Sequence, residues 1–546
     1  MNKLEKYQGV IAQLNDSCGN LLNETAKADF STKANDFTSM LNASKYIKVP
    51  LVGIFSAGKS SLLNVFVQKP SLLPVDTLPE TAIAYELYYD INEHIELYRD
   101  GNKIDDKSLA QIKEFSSKPG DVAKVYVNSS VVKSLQERNI ILVDMPGIGS
   151  GIERHDMAIG HYIEQGTAFV LIVSSEQGSL RNSTLLFLEE LKQYNLNPAV
   201  LISKSDKASD KDLKDMKEYV TAQLSKILAT QPYVATVSAV NNDIAGFSQY
   251  MNSLDPDKLL AEKVGGVLKN IVNSVVASLK LQAQIKLKNI EGIDEKIKSL
   301  DKEIENVKVS LPTSSVLETP EQVCSEVLSN IKEALEIKAS DLASMIVKGE
   351  DPESIKSAFI SVVRAELVKS IKDESEKYAD KLSGSVNQAM KDIDSIDLSG
   401  ILSEYEEMID AATMVIINFI NKIPGFWGKI LKVLAPFIGT IIGKVVNWIF
   451  GESEETKTNK VVGLIKEKII SEITEGLKPH VLQMVIDNQA KIKDQMQKDV
   501  ISSLEKSKDA LKDKIKDAQK DKSEVESEVA KINGAIDFAS NMMNQI

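Results

Sequence analysis

The chain has 546 residues, 43% of them apolar and 26% charged, with a formal net charge of −13. That length exceeds one ordinary hydrophobic core and predicts roughly two to four domains, while the absence of Gly/Ser-rich or Pro-rich tracts excludes long disordered linkers. The acidic balance opposes nonspecific nucleic-acid binding, and two distant cysteines, Cys18 and Cys324, exclude a disulfide framework or a CxxC zinc site.

Four histidines, His94, His155, His161 and His480, lack metal-ligand spacing, so no metalloenzyme is expected. The first residues, Met1-Asn2-Lys3-Leu4-Glu5-Lys6, lack the basic, apolar and small-residue order of a secretory signal. A cytoplasmic location, with peripheral attachment to membrane, is the expectation.

Residues 1–45 read as helix, broken near Asp16-Ser17-Cys18-Gly19, and as part of a helical bundle. Residues 46–250 alternate short apolar runs with helical patterns, which predicts an α/β domain with a mostly parallel central sheet. The predicted strands are Ile47–Phe55, Ala82–Tyr89, His94–Arg99, Asn139–Val143, Ala168–Ser174, Ala199–Ser203 and Tyr233–Val237, with helices at Ser183–Tyr194 and Asp210–Leu228.

The first strand leads into Gly53-Ile-Phe-Ser-Ala-Gly58-Lys59-Ser60-Ser61, a GxxxxGK[ST] phosphate loop placed between strand and helix. In such a loop backbone N–H groups face the phosphates, here along Gly53, Ser56, Ala57, Gly58 and Ser61. Lys59 reaches the β and γ oxygens, and the Ser60 hydroxyl ligates Mg²⁺. The plainer reading, a chance glycine-rich turn, does not account for strand, loop and helix in the required order.

After the strand ending in Val143 comes Asp144-Met145-Pro146-Gly147, a DxxG motif. It predicts a carboxylate for Mg²⁺ at Asp144 and an amide for the γ-phosphate at Gly147. After Ala199–Ile202 comes Ser203-Lys204-Ser205-Asp206, which resembles [NT]KxD. A carboxylate at Asp206 accepts two hydrogen bonds from guanine N1 and N2, which adenine cannot supply, and the Lys204 stem lies along the base. Ser203 departs from the usual Asn or Thr. Ser238-Ala239 follows the next strand, where backbone contacts with the guanine carbonyl are expected. Thr81 is the candidate to orient the attacking water and to ligate Mg²⁺, with Thr77 as the fallback. No glutamine follows the DxxG motif; the next residue is Ile148.

The rest reads as helix. Residues 251–410 contain a heptad seam, Ile290, Ile293, Ile297, Leu300, Ile304 and Val307, ending near Leu311-Pro312 before another helix begins near Thr319. Residues 452–546 return with a second seam, Leu504, Leu511, Ile515, Ala518, Val525, Val529, Ile532 and Ile536. Between them, residues 411–451 contain no acidic residue and hold both tryptophans, Trp427 and Trp448, with Phe426 and Phe437 and the lysines Lys422, Lys429, Lys432 and Lys444. The lysines interrupt any run of about 18 apolar residues, which excludes a permanent spanning helix. The pattern fits an interfacial hairpin whose lysines meet an anionic membrane surface. A buried core hairpin or a homodimer surface is the alternative.

Ser56 to Asn64, Pro79-Glu80-Thr81, Asp144-Met145-Pro146-Gly147 and the Lys204/Asp206 pair together resemble the dynamin superfamily, most of all its bacterial dynamin-like members, over roughly residues 45–250. The resemblance implies GTP hydrolysed to GDP with Mg²⁺. It also implies a serine at position 56 that, often with a monovalent cation, stabilises transition-state charge, so that catalytic residues would be Ser56, Lys59 and Thr81. Pairing of GTPase domains into a homodimer, or with a related dynamin-like chain, would order the site. The helices would form a neck and trunk with residues 411–451 as a membrane-binding paddle. Phe55 stands where many dynamins have glutamine, which with Ser203 puts the hydrolysis rate in question. The leading function is therefore a GTP-hydrolysing membrane remodeller. The alternatives are a membrane-inserting helical toxin, or a GTP-binding scaffold with little hydrolysis.

Overall fold

The computed structural model describes residues 2–53, 56–75, 83–99, 101–112, 121–147, 162, 168–193, 196–228, 231–288, 290–311, 317–350, 352–391, 454–518 and 520–546. Phe55, Thr77, Thr81, Ile148 and the whole apolar segment 411–451, with Lys422, Phe426, Trp427, Lys429, Lys432, Phe437, Lys444 and Trp448, lie outside the described residues. Among the described residues no helix is long and apolar enough to cross a membrane.

The sheet has nine strands: β1 Ile47–Gly53, β2 Ala84–Tyr89, β3 His94–Arg99, β4 Asn102–Lys107, β5 Val122–Val127, β6 Ile140–Asp144, β7 Val170–Ser174, β8 Ala199–Ser203 and β9 Val234–Thr236. Their spatial order is β4-β3-β5-β2-β6-β1-β7-β8-β9. The five strands from β6 to β9 in that order are parallel, while β2 runs antiparallel to β6 and opens an extension. The composition explains the difference. Strands β6, β7 and β8 are buried at every residue and read as unbroken apolar runs, as parallel strands covered on both faces must. In the extension β5 alternates, Val-Ala-Lys-Val-Tyr-Val, and the edge strand β4, Asn-Lys-Ile-Asp-Asp-Lys, is exposed and charged, which blunts edge pairing.

Two of these strands, β4 and β5, were not among the strands expected from sequence. The charged β4 has no strand composition and is held by pairing with β3, a tertiary cause. The other departures are small. β1 is described through Gly53, the expected residues 54–55 lying outside the described residues, and β6 starts one residue late, after the left-handed Asn139 (φ 60°), and extends to Asp144. Helices Asn182–Gln193 and Asp210–Ile227 lie within one residue of expectation at each end.

In the helical region Lys3–Cys18, Glu24–Ala43, Pro256–Leu287 and Lys522–Met542 share one apolar core containing Tyr7, Phe37, Leu268 and Ile532. The C-terminal end of the long Ile470–Asp517 helix joins them through Lys506, which pairs with Asp29 at 2.9 Å. Below it, Pro320–Val347, Pro352–Lys391, Glu454–Leu464 and the start of Ile470–Asp517 bury a second core. The first heptad seam forms the Ile293–Val309 helix and buries Leu300, Ile304 and Val307; Thr319 then caps Pro320–Val347 in a capping box with Gln322. The second seam is not one helix. Asp521 accepts a hydrogen bond from the Glu524 backbone and starts a new helix, so Ile515 and Ala518 lie exposed at the turn rather than in a stripe.

Candidate functional site

The ends of β6, β1, β7 and β8 are adjacent at one edge of the sheet, where ligands bind in open parallel sheets. Close packing of β1 on β7 requires Gly53: a Cβ there would lie 2.5 Å from the Ile172 carbonyl oxygen. Beyond it the chain turns through Ser56 (φ 58°) and Gly58 (φ 88°), both left-handed, and enters the Lys59–Phe66 helix. Left-handed backbone is routine for glycine and costs about 1 kcal/mol at serine, a local strain of the kind concentrated at binding loops. The turn leaves the unpaired N–H groups of the first helical turn, including that of Ser61, directed out of the helix end beside the sheet edge.

Lys59 and Asp144 are both buried, at 8% and 4% exposure. The Lys59 ammonium donates to the Gly53 carbonyl at 3.1 Å, spanning the loop. The Ser60 hydroxyl donates to Asp144 Oδ2 at 2.6 Å, while Asp144 Oδ1 is buried without a hydrogen-bond partner among the described residues. Burial raises Asp144 to about 6, against the opposing effects of the Ser60 bond and Lys59. Burial likewise depresses Lys59, with Asp144 opposing it. A serine hydroxyl beside a carboxylate with one free oxygen fits Mg²⁺. Among the described residues no group of three or more His, Cys, Asp or Glu gathers, so such an ion would draw its remaining ligands from water and phosphate oxygens. Gly147 is buried three residues past Asp144. Asn64, two turns into the helix, donates to and accepts from Leu73 at 3.0 and 2.8 Å, fixing the chain just before the segment that contains Thr77 and Thr81.

The base side is built differently. Lys204 has a left-handed backbone (φ 55°) and directs its ammonium to Glu176 at 2.5 Å, and Ser175 donates to the Lys204 carbonyl at 2.7 Å. The Asp206 carboxylate accepts from the Ser238 hydroxyl at 2.5 Å, and this bond holds it below the usual carboxylate range. Ser238 is fixed in turn by paired backbone bonds with Asp243, both 2.8 Å, and Ala239 beside it is half-buried.

Sequence reasoning missed three members of this arrangement. Ser203, read only as a departure from Asn or Thr, is buried and donates to the Ala57 carbonyl at 2.6 Å, tying β8 to the phosphate loop. Ser175 and Glu176 follow β7 directly, and their signal was available as a Ser-Ser-Glu strand end. The structure gathers Gly53, Ser56, Ala57, Gly58, Lys59, Ser60, Ser61, Asp144, Gly147, Lys204, Asp206, Ser238 and Ala239 along this sheet edge. The side chain of Ser56 is exposed.

Residues 49–206 match the dynamin family profile. Dynamin-like protein 1 of Campylobacter jejuni (strain 81-176) is 21% identical over 33% of this chain and 30% of its own length. An uncharacterised protein of Caldicellulosiruptor is 20% identical over 40% of this chain and 55% of its own. The chain thus spans less than two thirds of either relative. A solved oligomerised bacterial dynamin pair, described as a means of long-range sensing and tethering of membranes, aligns over 98% of this chain and 94% of its own at 13% identity and a TM-score of 0.32. A variant of Aquifex aeolicus Era bound to GDP and AlF4⁻ aligns over 45% of this chain and 68% of its own at 14% identity and a TM-score of 0.23.

Proposed function

We propose, from the dynamin-family domain carried by residues 49–206, that the chain binds GTP with Mg²⁺, hydrolyses it to GDP and couples turnover to self-association on anionic membranes. The observation that carries the nucleotide part is the arrangement of buried Lys59 and Asp144 with half-buried Ser60 at one strand edge, with the Ser238-fixed Asp206 carboxylate along the same edge. Its roles follow from chemistry. Lys59 would leave the Gly53 carbonyl for phosphate oxygens, and the loop amides would bind the same oxygens. Ser60 and Asp144 would hold Mg²⁺, whose charge offsets that developing on the phosphates. Asp206 would accept from guanine, its acceptor-only carboxylate selecting against adenine. Ser56, exposed at the loop, would face a second nucleotide domain, and Thr81 would join it in the catalytic set.

The membrane part rests on the sequence of residues 411–451, acid-free, rich in lysine and holding both tryptophans. GTP turnover measured against protein concentration, with and without anionic vesicles, tests the whole reading. Turnover per chain rising with concentration and again with vesicles is expected; flat turnover would remove self-association, and a slow single turnover at high concentration would make the chain a scaffold. Vesicle sedimentation of the Trp427→Glu variant tests the lipid contact, and undiminished binding would remove it.

A further inference from the structure

The Asn182–Gln193 helix of the nucleotide domain has two buried faces. Phe187, Leu188 and Leu191 pack on the sheet, whereas Leu186 belongs to the core of the lower helices. Glu189 and Glu190 share the face of Leu186. Glu190 is 0% exposed and meets Arg364 of the Pro352–Lys391 helix, itself 3% exposed, with Nε 2.6 Å from Oε1 and Nη2 donating to Oε2 at 2.9 Å. At the rim Lys338 pairs with Glu189 at 2.7 Å.

Arg364 ends a stripe, Ser354, Ser357, Ser361 and Arg364, spaced three and four residues apart on one helix face, and all four are buried. The opposite face carries Phe359, Val363 and Leu367 into the apolar core. A helix with one apolar face and one of serines and an arginine is patterned for a surface position, yet here its polar face is covered. A buried ion pair adds little net stability, because both charges regain hydration when exposed, and the serine hydroxyls rehydrate as readily. At this contact the 182–193 helix supplies Leu186 as an apolar group and Glu189 and Glu190 as the charge registry. The same strand-turn-helix unit that carries Glu190 also carries Ser175 and Glu176, which hold Lys204 at the base side of the site.

We propose that the 182–193 helix and the Ser354–Arg364 stripe form a reversible latch that holds the lower helices against the nucleotide domain, its closure linked to nucleotide occupancy. The linkage to nucleotide rests on the function proposed above; the latch itself does not. By reciprocity, breaking the latch changes nucleotide affinity by the same factor by which nucleotide shifts the latch.

The test is a pulsed electron-resonance distance between nitroxides at Lys192→Cys and Ile337→Cys in the full chain, both positions being exposed while Cys18 and Cys324 are buried. A single short distance is expected in the parent. Glu190→Arg, Arg364→Glu and the milder Glu190→Gln shift population to longer distances, and the double exchange Glu190→Arg/Arg364→Glu restores the short one. Unchanged distances in the folded single variants, or no restoration by the exchange, overturn the latch. If the charge-reversed single variants fail to fold, Glu190→Gln and the exchange decide it. Adding GTP and Mg²⁺, with binding followed by a fluorescent guanine nucleotide, tests linkage: at least a threefold change in open fraction, matched by a threefold affinity change in Glu190→Gln, is expected. Bound nucleotide with neither change overturns the linkage; no bound nucleotide overturns the function proposed above and leaves the charge exchange to judge the latch.

Discussion

The phosphate side and the base side of the site solve the same problem at different cost. On the phosphate side Lys59 and Asp144 are buried, each pushed toward its neutral form by desolvation and each partly restored by the other. On the base side Glu176 is half-exposed and Lys204 a third exposed, and Asp206 is held by a serine hydroxyl rather than by burial. Buried charges cost stability in the chain without ligand, so under the function proposed above removing them should abolish function and relieve the fold. Exposed groups cost little, so changing them should alter which base binds and leave stability alone.

The largest expected effect is on the phosphate side. Lys59→Ala should lower nucleotide affinity or turnover by about 100-fold or more, measured by fluorescent-nucleotide titration. Asp144→Asn should lower Mg²⁺-dependent turnover by a similar factor, about 100-fold, while stabilising the chain without nucleotide. The sign follows from linkage. The folded value near 6 lies above the unfolded 3.8, so the native state favours the proton; this group's contribution is fully present below about pH 4 and is lost as pH rises through about 6. At pH 7.5 the asparagine variant should gain about 2 kcal/mol in urea unfolding without Mg²⁺, a gain that shrinks toward pH 4. Equal stability at both pH values would show that Asp144 is not strained.

On the base side, Asp206→Asn should weaken GTP binding by about 10- to 100-fold and favour xanthine over guanine nucleotides, with the unfolding midpoint unmoved. Ser203→Ala links the two sides. Loss of its bond to the Ala57 carbonyl should weaken guanine and adenine nucleotides alike by about 5-fold, and an effect confined to one base would mean that Ser203 reads the base instead. Glu176→Gln should be the smallest change, about 2-fold in GTP affinity and reduced further by salt, because the pair is exposed.

How much of this could be read beforehand follows the same division. The phosphate loop and DxxG motif are contiguous in sequence and follow apolar strands, so their location at the strand ends was legible. Ser203 was not, because the partner that gives its hydroxyl a purpose is the Ala57 carbonyl, 146 residues away. Strand β5 was legible as alternation and overlooked, whereas β4 was not: its charges suit water, and only pairing with β3 makes it a strand. The end of the second heptad seam was misread for a local reason, since an N-cap aspartate outweighs apolar spacing. The Ser354–Arg364 face carried the opposite signal, a solvated stripe, because nothing local reveals that it is buried or that Arg364 meets Glu190, 174 residues away.

The most direct test of the central claim is equilibrium binding of GTP, ATP and XTP, each with Mg²⁺, to the parent chain and to Asp206→Asn. The account predicts at least about 10-fold preference for GTP over ATP in the parent and a shift to XTP in the variant. Equal affinity for GTP and ATP in the parent, or a variant that still prefers GTP, would contradict it.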